Sequence, residues 1–445
     1  MKQKKIPVIF VSVLFFIIYS TKVHSQEYGC TTFSLIENQR NIFGRNLDTD
    51  AEFGYIFINK RNMSKVSYFD STSTEYAATW ISKYGSITFN QISCDIPHGG
   101  MNEKGLVVEH MYYGNSNYPP VDERPAVISH QWIQYALDNC QNIIEVIDID
   151  THIRISDTEY KFPIHFHVMD SSGDRAIIEF LADTFSVYRG EYYTACALSN
   201  SSYNYSLNYL SNFIGWGGSN PIPVNVSGTK DRFVKAADMV KNYPGSATIP
   251  VIKYGFSILD SVWENTKWQL VYDLDSLCIN YRLLSDTSIR TIHLRDYDFD
   301  CLSGTEMLEI GNDPNISSNW LSFTTQLNTF LINTICNLSG FVNSVLGDEA
   351  DDIAVHPEST SSCITTSLNK DYDLLEPILY PNPTNGMINV KIDNIKKIEI
   401  ANETGQIIYT TRTNINIDIG KQPKGIYFIK ITTDKKIISL KIVKL

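Results

Sequence analysis

The sequence predicts a layered α+β domain followed by a small all-β sandwich. Three observations predict it. The long first part carries short β-rich runs broken by turn residues, with only a few stretches of helical spacing. An acidic, Ser/Thr-containing stretch then interrupts that pattern. From about Leu375 onward, short strands follow one another at close, regular spacing.

In the first part, Val66–Phe69, Leu106–Met111 and Trp268–Tyr272 read as strands. Ile128–Val146 reads as a helix, with Trp132, Ile133, Tyr135, Ala136 and Leu137 preceding Ile143, Ile144 and Val146. Arg232–Tyr243 is another, carrying Phe233, Ala236, Ala237 and Val240 at helical spacing, with Pro244 beyond its end. Trp320–Leu346 is again helical and has no evident role. Residues 347–374 predict a linker, since Gly347-Asp348-Glu349-Ala350-Asp351-Asp352 is acidic and Ser359–Ser362 is a Ser/Thr tract. The tail opens on the turn cluster Pro381-Asn382-Pro383-Thr384-Asn385-Gly386. Ile388–Ile392, Lys397–Ile400, Gln406–Thr411, Ile415–Ile419, Ile426–Thr432 and Lys436–Val443 follow as strands.

The 445 residues exceed one ordinary domain. With 43% hydrophobic and 19% charged residues the chain is globular in composition. A formal net charge of −12 argues against a nucleic-acid partner, which selects a basic face. Lys2, Lys4 and Lys5 precede an apolar run over Pro7–Ser20, and Val23-His24-Ser25 offers a cleavage site. The run is short for a membrane helix, so residues 1–25 read as a secretory signal peptide and 26–29 as a short propeptide. Export permits disulfides. The eight cysteines lack paired C-x-x-C spacing, which disfavours zinc and leaves any disulfide pairing open.

Cys30 lies just beyond the expected cut. If the Gly29–Cys30 bond is broken, one residue carries both a thiol and a free α-amine. An α-amine has a reference pKa of about 7.7–8.0, so it can accept the thiol proton near neutrality. The competing readings are an ordinary cysteine in a first strand and a lipid-attachment cysteine. The second wants an apolar residue at the position Glu27 occupies. Shortly after come Arg45 and Asp48, a cation to favour a thiolate and a carboxylate to hold an amine. Strict strand alternation puts these two on opposite faces, so joint action predicts a bend or bulge. His165 and His167 share one strand face without a third ligand at a recognisable spacing, and no Gly-rich phosphate loop or G-x-S-x-G elbow is present. No metal or cofactor is therefore expected.

Cys30-Thr31, Gly44-Arg45-Asn46-Leu47-Asp48, Met101-Asn102-Glu103-Lys104-Gly105-Leu106, Leu198-Ser199-Asn200 and Asp231-Arg232-Phe233-Val234-Lys235-Ala236-Ala237 stand in one order. In that order the sequence resembles the choloylglycine hydrolase family of linear amide C–N hydrolases, which includes bile salt hydrolases and penicillin V acylases. The resemblance runs from Cys30 to about Cys301. It implies a four-layer αββα N-terminal-nucleophile fold over residues 30–346 and a small-molecule amide substrate. It also implies roles. Cys30 is the nucleophile and, through its amine, the base, with Arg45 and Asp48 flanking it. The side-chain amide of Asn200 and the backbone N–H of Tyr112 stabilise the oxyanion, and Arg232 completes the charged cluster. Bile salt hydrolases tend to carry Asn where Tyr112 stands, and penicillin V acylases Tyr. Thr49 replaces a common Trp, and the Asn200–Arg232 segment is short, which leaves a homo-oligomer open. Acyltransferase-like relatives share the start of the pattern, and a non-catalytic binding protein on the same fold is the alternative from another class.

Tyr380-Pro381-Asn382-Pro383-Thr384-Asn385-Gly386, Ile398-Glu399-Ile400, Gly405-Gln406, Lys424–Ile431 and the closing Lys441-Ile442-Val443-Lys444-Leu445 resemble the C-terminal sorting domain of type IX secretion in Bacteroidetes. Residues 375–445 are then an export address, and the secretion machinery is a partner.

Overall fold

The computed structural model describes residues 29–364 and 379–445, apart from positions 71, 159, 391–394, 403, 413–415 and 434–436. The expected signal peptide lies outside the described residues. One unit extends to residue 365 and a second begins at residue 366.

Two antiparallel sheets organise the first unit. The six-stranded sheet runs Ala197–Leu198, Thr31–Glu37, Arg40–Asp48, Thr266–Asp273, Cys278–Leu283, Arg290–His293. The nine-stranded sheet runs Thr184–Arg189, Arg175–Leu181, Ile164–Met169, Val107–Tyr112, Gly99–Asn102, Ser86–Asn90, Tyr55–Asn59, Glu306–Glu309, Leu321–Ser322. Side-chain alternation divides each strand between two environments. In Val107–Tyr112, Val107 and Met111 enter the core shared with Phe33 and Phe43 of the other sheet. Val108 instead joins Trp132 and Ile133 of the helix Ser129–Asn139. Helices Gly228–Lys241 and Val251–Ser261 cover the six-stranded sheet, packing on Thr31–Glu37 and Arg40–Asp48 respectively. The result is helices, sheet, sheet, helices: the four-layer αββα arrangement.

Several element boundaries differ from the sequence expectation for local reasons. The helix expected over Ile128–Val146 is two, Ser129–Asn139 and Ile143–Asp148; Asn142 caps the second by accepting from the Glu145 N–H. The strand expected at Val66–Phe69 ends at Val66. Trp320–Leu346 resolves into the helices Thr325–Leu338 and Gly340–Leu346, separated at Ser339, whose hydroxyl accepts from the Val342 N–H.

The expected linker over 347–374 is corrected in its first part. Ala350–Thr360 is a helix, with Asp351 and Asp352 in its first turn, where negative charge suits the helix dipole. The acidic run is therefore a helix start. Ile353 and Ala354 are buried in the core beneath the nine-stranded sheet. Ser362–Cys363 pairs with Met63–Ser64, and Cys363 is bonded to Cys301, 62 residues earlier. Residues 365–374 lie outside the described residues.

The second unit is a small sandwich. A three-stranded sheet (Leu379–Tyr380, Met387–Val390, Ile417–Asp418) and a four-stranded sheet (Ile407–Thr411, Ile395–Asn402, Gly425–Thr433, Ile437–Lys444) share one core. Alternate residues Ile398 and Ile400, and Tyr427, Ile429 and Ile431, supply much of it.

Two truncations of the first unit test where its fold ends. A chain stopped at residue 346 is expected to melt well below one stopped at 364, because it loses Ile353, Ala354 and Cys363. In the longer chain Cys363→Ser should cost about 4 kcal/mol on the loop-entropy account of disulfides. Calorimetry of the three proteins checks both, and equal melting temperatures would return 347–364 to linker status.

Candidate active site

Cys30 directly precedes the Thr31–Glu37 strand and is buried. The hairpin register sets Thr31 opposite Asn46 and Thr32 opposite Arg45, which brings the Arg45–Asp48 segment alongside the thiol.

Arg45 projects into the space between the sheets. Its Nη2 lies 3.8 Å from Cys30 Sγ, and its Nη1 donates to the His98 carbonyl at 2.6 Å. Nη1 also pairs with Glu109 from the facing sheet, and the other oxygen of Glu109 accepts from the Tyr272 hydroxyl. Burial alone would lower the Arg45 pKa, but Glu109 and Cys30 together more than offset this and raise it, so the guanidinium stays charged. Burial pushes the Cys30 thiol up, and Arg45 opposes that rise.

Asp48 occupies the other face, as alternation dictates. The bend or bulge expected between Arg45 and Asp48 is absent from their own strand; the register shift lies in the partner strand, between Thr266 and Trp268, opposite Asp48 and Leu47. Arg45 thus serves the thiol while Asp48 serves the backbone side of Cys30. Asp48 Oδ1 accepts from the Thr266 hydroxyl at 2.5 Å. Its Oδ2 accepts no hydrogen bond among the described residues and lies 3.7 Å from Arg232 Nη1. Burial pushes the Asp48 carboxyl up to about 7, against the pull of Arg232.

Arg232 is the hub of this face. Nη1 donates to the Cys30 carbonyl and to Thr31 Oγ1, both at 2.8 Å, and Nη2 donates to Asn200 Oδ1 at 3.1 Å. Its Nε stands 2.9 Å from Glu264. Gly29 is enclosed here. A side-chain carbon on it would fall 2.5 Å from Glu264 Oε2, 2.9 Å from Asp48 Oδ2 and 3.0 Å from Arg232 Nη2. Only glycine fits before Cys30 in this cradle without displacing charged groups.

Asn200 is held at both ends of its amide. Oδ1 accepts from Arg232, and Nδ2 donates to the Tyr112 carbonyl at 2.7 Å, which leaves one amide hydrogen for another acceptor. Cys30, Asp48 and Tyr112 line one narrow pocket, together with Thr49, Phe162 and Phe341. His98 and His110 form part of its base, and burial holds both imidazoles well below the usual histidine range, hence neutral.

All six residues singled out from the sequence therefore meet around the Cys30 peptide. Sequence reasoning missed Glu109, Thr266, Glu264 and the ring pair Phe162 and Phe341. Glu109 had a signal: it is an acid on the inward side of an apolar strand, between Val107 and Met111. His165 and His167 are committed to protein partners. His165 bonds Glu179 at 2.9 Å and the Ser199 carbonyl at 2.7 Å. His167 bonds Thr32 and the Tyr193 hydroxyl, each at 2.8 Å.

The raised carboxyl yields a pH prediction. Folded Asp48 titrates at about 7 against an ordinary value of 3.8. The folded chain binds this proton more tightly than the unfolded one. Its stabilisation is complete below the ordinary value and is lost as pH rises through the folded value, about 4 kcal/mol in all. In the chain that retains Gly29, Asp48→Asn should raise stability at pH 8 and leave it nearly unchanged at pH 4. Urea unfolding at the two pH values checks this, and a pH-independent difference would place the proton elsewhere.

Residues 30–306, more than half of the chain, match the linear amide C–N hydrolases, choloylglycine hydrolase family. Residues 378–445 match the secretion system C-terminal sorting domain, which marks the chain for export to the cell surface or beyond. A penicillin V acylase from Pectobacterium atrosepticum is 25% identical over 286 residues, spanning 55% of this chain and 75% of its own. A penicillin V acylase structure from Agrobacterium tumefaciens superposes with a TM-score of 0.57 at 22% identity, covering 66% of this chain and 98% of that one. Two variant structures of a conjugated bile acid hydrolase from Clostridium perfringens give 0.52 and 0.51 at 19% identity, over 65% and 66% of this chain and 98% and 99% of theirs. At these identities the solved structures speak for a shared fold. The chain belongs to the choloylglycine hydrolase family of linear amide C–N hydrolases.

Proposed function

We propose that the exported protein loses everything before Cys30 and hydrolyses a linear amide with an apolar acyl group through a Cys30 thioester. The observation that carries this reading is the buried Asp48 oxygen without a hydrogen-bond donor among the described residues, set against Gly29 beside the Cys30 nitrogen. Removal of Gly29 leaves an α-ammonium there, and Asp48 with Glu264 supplies its counter-charge.

The chemistry follows from the placement. The neutral α-amine takes the thiol proton, and Arg45 favours the thiolate. The thiolate attacks the amide carbonyl. Negative charge develops on the carbonyl oxygen, where the spare N–H of Asn200 and the Tyr112 N–H are the donors. The C–N bond breaks, and the leaving amine takes the proton from the α-ammonium. Water then attacks the thioester, releasing the acid and restoring the thiol. Arg232 positions Asn200 and the Cys30 carbonyl.

For the acyl group, the Tyr112 ring offers a flat apolar surface, where Asn would offer donors and an acceptor. A phenoxyacetyl or fatty-acyl group suits it better than a hydroxylated steroid.

Three outcomes are expected. Intact mass of the active enzyme should begin at Cys30; activity in a chain retaining Gln26–Gly29 would refute the amine mechanism. Cys30→Ala should abolish turnover, and Asn200→Ala should lower kcat by about 10²–10³, the usual weight of one oxyanion donor. The ratio of kcat/KM on penicillin V to that on a conjugated bile salt should exceed one and fall in Tyr112→Asn; a wild-type preference for the bile salt defeats the substrate assignment.

A further inference from the structure

The family domain ends at residue 306, yet the chain keeps packing against it as far as Cys363. Between these points lie the helices Thr325–Leu338, Gly340–Leu346 and Ala350–Thr360. This extension is fixed at several places. Asn328 accepts from the Cys94 N–H at 3.0 Å and donates to Ser93 Oγ and the Ala354 carbonyl, both at 2.8 Å. His356 Nε2 bonds the Val66 carbonyl at 2.9 Å, and the Cys301–Cys363 disulfide closes the end. Ser339, the cap of the middle helix, bonds Asp50 Oδ2 at 2.7 Å, two residues beyond Asp48.

That last contact sets the first turn of Gly340–Leu346 over the nucleophile's pocket. Phe341 and Val342 line it alongside Cys30, Thr49 and Tyr112. The Phe341 ring meets Tyr112 and Phe162 edge to face, with centroids 5.8 and 5.3 Å away. Val342 is buried and packs downward into the core, whereas Phe341 is only partly buried. A residue serving the core alone would have no place in the lining of the pocket that holds the thiol. Thr49 is short, so on this side of the pocket bulk comes from the extension.

We infer that the extension of residues 320–363 is a specificity element, and that Phe341, seconded by Val342, sets the width of acyl group admitted to Cys30. Three aromatic faces of Tyr112, Phe162 and Phe341 then form a slot for a flat or linear apolar acyl group and turn away a fused-ring one. The inference rests on the proposed amide hydrolysis only in calling the occupant an acyl group.

The test uses the processed full-length enzyme and two readouts. The first is kcat/KM on phenoxyacetyl and steroid-acyl amides sharing one amine. The second is the rate of Cys30 alkylation, by intact mass, with α-chloroketones bearing phenoxymethyl or fused-ring groups. Phe341→Ala should raise the wide-to-narrow ratio at least tenfold in both. Phe330→Ala should leave it unchanged, since Phe330 is on the same extension but 54% exposed and set edge to face against Phe53. An unchanged ratio in Phe341→Ala overturns the inference. If Phe341→Ala does not fold, Phe341→Leu and Val342→Ala carry the same comparison, and unchanged ratios in both overturn it. If the wild-type thiol is alkylated selectively and Phe341→Ala relaxes that selectivity, but no amide is hydrolysed, the amidase reading falls and the wall stands.

Discussion

The ion pair between Arg45 and Glu109 is the interaction on which the site depends. It joins the two sheets of the first unit, where neither charge has access to water. Removing one partner of such a pair strands the other and typically costs about 3–5 kcal/mol. A hydrophobic pair would fill the same space at no penalty, so stability alone does not explain these residues. What the pair supplies is a permanent cation held 3.8 Å from the thiol. Glu109 pairs with the guanidinium and is itself held by the Tyr272 hydroxyl, the His98 carbonyl accepts from the guanidinium, and the neighbouring imidazoles stay neutral beside it. The thiol meets one fixed positive charge, which opposes the upward push of burial and of Asp48.

The two faces of the Arg40–Asp48 strand divide the chemistry. One carries Arg45 toward the Cys30 thiol between the sheets; the other carries Asp48 toward Arg232 and Gly29. This explains why a bend in that strand was unnecessary. On the proposed mechanism the nucleophile is also its own base and presents two reactive atoms on opposite sides of one residue, and a strand's alternation is suited to reach both.

The site was largely legible in the sequence because its residues fall in recognisable short motifs, each on a regular element. Arg232 read locally as a solvated charge near a helix start, yet it is buried; only its place in the motif order gave it a role. Glu264 and Thr266 carry no pattern of their own, since they reach the site through the register of a strand whose bulge the sequence does not announce. The extension misled for a different reason. Its acidic residues open a helix, and composition alone does not distinguish a helix start from a linker. In its last helix only Ile353, Ala354 and Pro357 are buried, too sparse an apolar pattern to show helical periodicity. Phe341 had no sequence signal, because a ring that faces a pocket resembles one that faces a core.

The Cys301–Cys363 bond has a consequence for when the molecule becomes complete. Cytosolic thiols are kept reduced, so a bond of this kind forms only after the chain has left that compartment. Until then the strand that ends the extension is held by its backbone pairing and by core contacts alone. The sorting tail delivers the chain onward, and the oxidising space it crosses is where the bond closes. Maturation is in this sense ordered by geography: a chain still in the cytosol lacks one of the fastenings of the enzyme it becomes.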